Sequence, residues 1–144
     1  MTVQNILKSK NNDSVVTVRS GTLVSEAAKI LAEKRIGTVV ISDDGVTPKG
    51  ILSERDIVRQ LAAHGAECLI KTVDTYMTTK LVTCERRDKA DDILAQMTEG
   101  RFRHMPVVEE GKLVGLVTLG DVVKARLNEV AMERNALEGM IMGH

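Results

Sequence analysis

Aromatic side chains are almost missing from this chain: Tyr76 and Phe102 are the only two in 144 residues, and there is no tryptophan. A core must then be built from Val, Ile, Leu, Met and Ala, and the aromatic platforms on which single-stranded nucleic acid stacks cannot be assembled. An excess of charge is missing too. Twenty basic and twenty acidic residues cancel, so no net field draws the protein to nucleic acid or to an anionic membrane, and any anion must be held locally. No apolar run approaches the roughly 20 residues that span a bilayer. The two cysteines, Cys68 and Cys84, lack C-x-x-C spacing, and the start MTVQNILKSKNN lacks the apolar stretch of a signal peptide. Both features point to a reduced, cytoplasmic compartment. His64, His104 and His144 share no metal-ligand spacing, so no metal is expected. The motifs G-x-x-x-x-G-K-[ST], G-x-G-x-x-G, G-x-S-x-G and H-E-x-x-H are all absent, and the expectation is a protein without catalytic activity.

What the chain does contain is a duplication. Hydrophobic residues at 43% and charged residues at 28% are ordinary for a globular protein, and the length suits one compact domain or two small ones sharing a core. Val15-Val16-Thr17-Val18 recurs as Leu81-Val82-Thr83-Cys84, and Val24, Ala27, Ala28, Leu31 recur as Ala90, Ile93, Leu94, Met97, each displaced by 66 positions (Thr17 to Thr83, Val24 to Ala90). The register continues from Glu33 and Arg35 to Glu99 and Arg101, and from Gly45 to Gly111. After one residue is lost, Gly50-Ile51-Leu52-Ser53-Glu54-Arg55-Asp56 falls on Gly115-Leu116-Val117-Thr118-Leu119-Gly120-Asp121. Such a period has to be sought first, because it dictates the fold.

Each repeat reads as strand, helix, strand, strand, helix, with the first repeat at 1–66, the second at 67–127 and a C-terminal helix at 128–144. Apolar residues at i, i+3, i+4, i+7 from Val24 to Leu31 form one helical stripe, and Thr22 or Asp88 just before it offers an N-cap oxygen. Thr38–Ile41 and Met105–Val108 are short runs rich in β-branched residues, each followed by acidic-acidic-Gly, a hairpin signal. Ser53-x-x-Asp56 and Thr118-x-x-Asp121 open the second helices. The fold class expected is α/β (α+β), two βαββα repeats packed about a pseudo-twofold axis so that each covers the other's apolar face.

GILSERDIV at 50–58, RFRHMPVV at 101–108 and GLVTLGDVV at 115–123, recurring in order, resemble the paired cystathionine-β-synthase-like (CBS) domains of the Bateman module over residues 3 to 127. The stand-alone bacterial type, which continues into a charged terminal helix, is the nearest pattern. The resemblance implies an adenine nucleotide as ligand, with AMP first and NAD(H), ADP, ATP and S-adenosylmethionine as alternatives. It implies that Asp56 and Asp121 accept the ribose hydroxyls, while the neighbouring hydroxyl and the helix dipole favour a phosphate. It also implies two sites built across the pseudo-twofold. One combines Leu116, Thr118, Gly120 and Asp121 with Thr22, Ile36, Gly37 and Thr38; the other combines Ile51, Ser53, Arg55 and Asp56 with Asp88, Phe102, Arg103 and His104. Arg103 and His104 match a basic pair that meets phosphates, whereas Gly37 and Thr38 are uncharged and Asp88 repels an anion, so unequal sites are expected.

Taken singly, a Ser/Thr-x-x-Asp element is a helix cap stabilising by about 1 kcal/mol; its recurrence after Gly-aliphatic-aliphatic favours binding. Arg35 and Arg101 read as exposed helix ends, Phe102 as core more readily than as a stacking platform, and the cysteines as small hydrophobes. Two functions compete: a nucleotide-sensing regulatory module acting on an unknown partner protein, and a ligand-independent scaffold. Val123, Leu127, Val130, Leu137 and Ile141, with Arg134 at the seam, step by fours and threes, a heptad-like pattern that favours a homodimer over a helix folded back on its own domain.

Overall fold

The structure, a computed structural model, describes residues 1–10 and 15–141. Its elements are α1 (Val3–Ser9), β1 (Thr17–Val18), α2 (Val24–Lys34), β2 (Thr38–Ile41), β3 (Gly50–Ser53) and α3 (Glu54–His64). A 3-10 segment, Gly65–Ile70, leads to α4 (Val73–Tyr76), α5 (Ala90–Gly100), β4 (His104–Glu109), β5 (Lys112–Thr118) and α6 (Leu119–Ile141). They form two compact units. One comprises Ser14–Val82 and Val108–Val114, the other Met1–Asp13, Thr83–Val107 and Gly115–His144.

In the first of these units β1 pairs parallel with β2, and β2 antiparallel with β3, Thr38 opposite Ser53 and Val40 opposite Ile51. The stripe expected on α2 is the buried one: Val24, Ala27 and Leu31 pack with Val18, Val39, Ile41, Leu52, Ile57 and Val73. In the second unit α5 buries Ala90, Ile93 and Met97, and Met105, Val107, Val117 and Val122 are fully enclosed. Both cysteines are buried thiols. The strand expected at 81–84 is reduced to one parallel bridge, Cys84 to Val107. Only Cys84 of that segment is buried, while Val82 and Thr83 face solvent, so a single side chain anchors it.

Two local expectations are corrected. Neither Thr22 nor Asp88 caps a helix: the N-caps are Leu23 and Lys89, without side-chain hydrogen bonds. The Thr22 hydroxyl donates to the Arg19 carbonyl at 2.7 Å, and Asp88 accepts from the Glu85 amide at 2.8 Å, each closing the preceding turn. Backbone from elsewhere does the capping, since Val24 N–H donates to the Lys71 carbonyl and Ala90 N–H to that of Met1. The Val73 and Val3 amides answer, donating to the carbonyls of Thr22 and Asp88. The second correction concerns the hairpins. Glu110 and Gly111, both at positive φ, make the expected two-residue turn between β4 and β5, but residues 42–49 form a longer loop. There Asp44 accepts from the amides of Thr47 at 2.7 Å and Val46 at 2.8 Å, which hold its carboxyl well below the usual range.

Arg35 and Arg101 end their helices in the left-handed region, and the next residues' amides, Ile36 and Phe102, reach back to Leu31 and Met97. Gly50 and Gly115 are spared a side chain for one reason. A Cβ on Gly50 would lie 2.7 Å from Met77 Sδ, and one on Gly115 2.8 Å from Leu7 Cδ2. Thus α4 leads into the chain lying against β3, and α1 presents Leu7 to β5. α1 belongs to the unit that holds α5, and α4 to the unit that holds α2. α6 runs unbroken through position 128 and buries only Val122 and Ala125, leaving Leu127, Val130, Leu137 and Ile141 exposed. No described helix is long and apolar enough to cross a membrane.

Candidate functional site

Both Ser/Thr-x-x-Asp elements close as reciprocal boxes. At the start of α3, Ser53 N–H and Oγ donate to Asp56 Oδ2 at 2.9 and 3.0 Å, while Ser53 Oγ accepts from Asp56 N–H at 3.2 Å. At the start of α6, Thr118 N–H donates to Asp121 Oδ2 at 3.0 Å and Thr118 Oγ1 accepts from Asp121 N–H at 3.1 Å. The cap is therefore real in both, and each carboxylate keeps part of its surface in solvent, 20% for Asp56 and 24% for Asp121.

The carboxylates differ in their cations. Asp56 meets Arg59 at 3.3 Å, an exposed neighbour on its own helix. Asp121 meets Lys10, whose Nζ donates to Asp121 Oδ2 at 2.9 Å and to the Leu116 carbonyl at 3.0 Å. Burial pushes the Asp121 carboxyl up, but hydrogen bonds from Lys10 and Thr118 outweigh it, and the pKa lies below the ordinary value. The strand residues before the boxes differ as well. Both backbone groups of Ile51 are taken, its N–H by the Thr78 carbonyl and its carbonyl by the Thr78 N–H, whereas the Leu116 carbonyl accepts the lysine ammonium.

Around each box the same strand entrance is anchored. Glu54 N–H donates to the Gly37 carbonyl and Leu119 N–H to the Arg103 carbonyl, at 2.9 and 2.8 Å. Arg103 is thereby rooted beside Thr118 and Asp121, with His104 opening β4 next to it. Thr38 is buried and its hydroxyl is spent on the Leu52 carbonyl at 3.0 Å. Ile36, Thr22, Asp88 and Phe102 are half-buried, the Phe102 ring lying over Gly100. Gly120 is exposed in the first turn of α6, and Arg55 lines an open depression of about 460 Å³ on α3 with Glu54, Val58 and Arg59. Among the described residues no group of three or more His, Cys, Asp or Glu side chains could hold a metal ion; His144 lies outside them.

Lys10 was not legible as a site residue. It lies 111 positions before Asp121, ahead of the first repeated strand, and the one signal was the i, i+3, i+4 spacing of Val3, Ile6 and Leu7, which marks the helix that delivers it.

Comparison with known proteins bears on both units. The family described as the CBS domain matches residues 6–63 and again 71–128. The CBS domain-containing protein YhcV of Bacillus subtilis is 31% identical over 87% of this chain and 89% of its own length. The crystal structure of the CBS-domain containing protein ATU1752 from Agrobacterium tumefaciens is 40% identical, covers 88% of this chain and 99% of that one, and superposes with a TM-score of 0.83. The CBS domain pair of protein MJ0100, solved with 5′-methylthioadenosine and S-adenosyl-L-methionine, is 28% identical with a TM-score of 0.77, over 90% of this chain and 98% of that one. The chain belongs to the CBS-domain family and carries two such domains: it is a CBS-pair regulatory module. It spans 72% of one curated relative but only 23% and 19% of the length of others.

Proposed function

We propose that this CBS pair senses an adenosine-containing ligand, AMP foremost, without catalysing a reaction, and that the principal binding elements are Asp121, Thr118 and Leu116 with Arg103 and His104, a regrouping of the two expected sets that rests on the hydrogen bond from Leu119 N–H to the Arg103 carbonyl. The observation that carries this reading is the partly exposed Asp121 carboxylate beside the Leu116 carbonyl, two acceptors already serving one external donor group. Ribose hydroxyls and an adenine amino group are donors of that kind. Adenosine compounds bound to the MJ0100 CBS pair support the ligand class. Arg103, tied by its carbonyl to Leu119, supplies a cation next to the box for a phosphate. Ser53, Arg55 and Asp56 form a second, weaker element, because the Ile51 backbone is already occupied. ADP, ATP, NAD(H) and S-adenosylmethionine share the adenosine and remain the alternatives.

Titration of these compounds against thermal unfolding tests the reading. A ligand at 100 times its Kd stabilises the folded state by about 2.7 kcal/mol, so a clear rise in melting temperature is expected with AMP. If no adenine compound shifts it at millimolar concentration, the module is a scaffold. The exposed apolar seam of α6 favours a homodimer in either case. Light scattering is expected to give twice the 15.7 kDa chain mass, and a monomer mass at micromolar concentration counts against it. A cytoplasmic setting, with both thiols reduced, belongs to the same proposal.

A further inference from the structure

Lys10 ends the helix α1, where its N–H donates to the Leu7 carbonyl, and Leu7 itself packs on Gly115. Its backbone is therefore held against β5, while its ammonium sits on Asp121 and the Leu116 carbonyl. The pair is largely covered, with 27% of the lysine side chain and 24% of the aspartate exposed. At the other box the corresponding places are filled differently: the Ile51 carbonyl accepts a backbone amide, and Asp56 meets an arginine that is 70% exposed.

We propose that Lys10 is a built-in counter-cation that occupies the ligand acceptors of the Asp121 site and makes that site select phosphorylated adenosine ligands over phosphate-free ones. The inference rests on the nucleotide-binding reading. Ribose and adenine donors that take Asp121 Oδ2 and the Leu116 carbonyl replace the ammonium that donates there, so binding in this way breaks a partly buried ion pair. A neutral nucleoside offers the displaced ammonium nothing. A phosphate does, because the lysine stays tethered at the end of α1 on a flexible four-carbon stem. The same displacement thus penalises adenosine and 5′-methylthioadenosine but is offset for AMP.

The test is the affinity of AMP, adenosine and 5′-methylthioadenosine, by calorimetry, for the unaltered protein, Lys10→Met and Lys10→Gln. Met keeps the apolar stem without the charge, and Gln keeps a donor. Both variants are expected to bind the two phosphate-free compounds about threefold to tenfold tighter, with AMP unchanged or weaker. The preference for AMP then falls by at least about threefold to tenfold. An unchanged preference, or equal weakening of all three compounds, overturns the inference and leaves the nucleotide site standing, with Lys10 a structural strut. If none of the three binds to any of the proteins, the nucleotide reading itself fails and the inference falls with it.

Discussion

Replacing Asp121 with alanine is expected to weaken AMP binding about tenfold to a hundredfold. Hydrogen bonds to a charged acceptor are worth roughly 1.5–3 kcal/mol, and each 1.4 kcal/mol is a factor of about ten in affinity. The substitution also opens the capping box, which lowers stability by about 1 kcal/mol. Asp121→Asn separates the effects, since it keeps an acceptor for the Thr118 amide and removes only the charge. Asp56→Ala, at the element whose strand backbone is already engaged, should leave most AMP binding intact. Arg103→Ala should hurt AMP far more than adenosine, because it removes a phosphate partner and no ribose or base contact. Calorimetry on the four variants decides the matter, and unchanged binding by both alanine variants of the aspartates would reduce these carboxylates to helix caps. The stabilising effect of the Asp121 carboxylate has a defined pH window. Its pKa is lowered in the folded protein, so the contribution is present above the ordinary carboxylate pKa and is lost as the pH falls through the lowered value.

Leu52→Ala should be the most damaging single change to the fold. Leu52 is fully buried on β3, faces Val39 across the strand pair, and packs among Val24, Leu31, Ile41 and Ile57. Truncating a buried leucine typically lowers stability by about 2–5 kcal/mol through lost transfer energy and the cavity left behind, and a chain of this size then melts on the order of 10 °C lower. Leu52→Met, which conserves volume, should cost less than about 1.5 kcal/mol. Thermal melts of the two variants check this; a drop of only a degree or two for alanine would mean that the site refills by rearrangement.

The family, the duplicated plan and the two boxes were legible in the sequence because each is written locally. The stripe on α2 needs only the spacing of Val24, Ala27 and Leu31; the turn at Glu110 and Gly111 needs two residues; each box needs a hydroxyl and a carboxylate three apart, a distance that helix geometry sets. The tertiary structure alone decided the rest. The starts of α2 and α5 are capped by carbonyls of Lys71 and Met1, so Thr22 and Asp88, suitable caps by residue type, are displaced into the preceding turns. The strand at 81–84 shrinks to one bridge because only Cys84 is buried. Ile51 and Leu116 hold equivalent places in the repeats, yet one has its backbone filled by Thr78 and the other meets Lys10. No local pattern announces these partners. An N–H, a carbonyl or a carboxylate states what kind of group it needs, and which distant residue supplies that group is settled only when the chain packs.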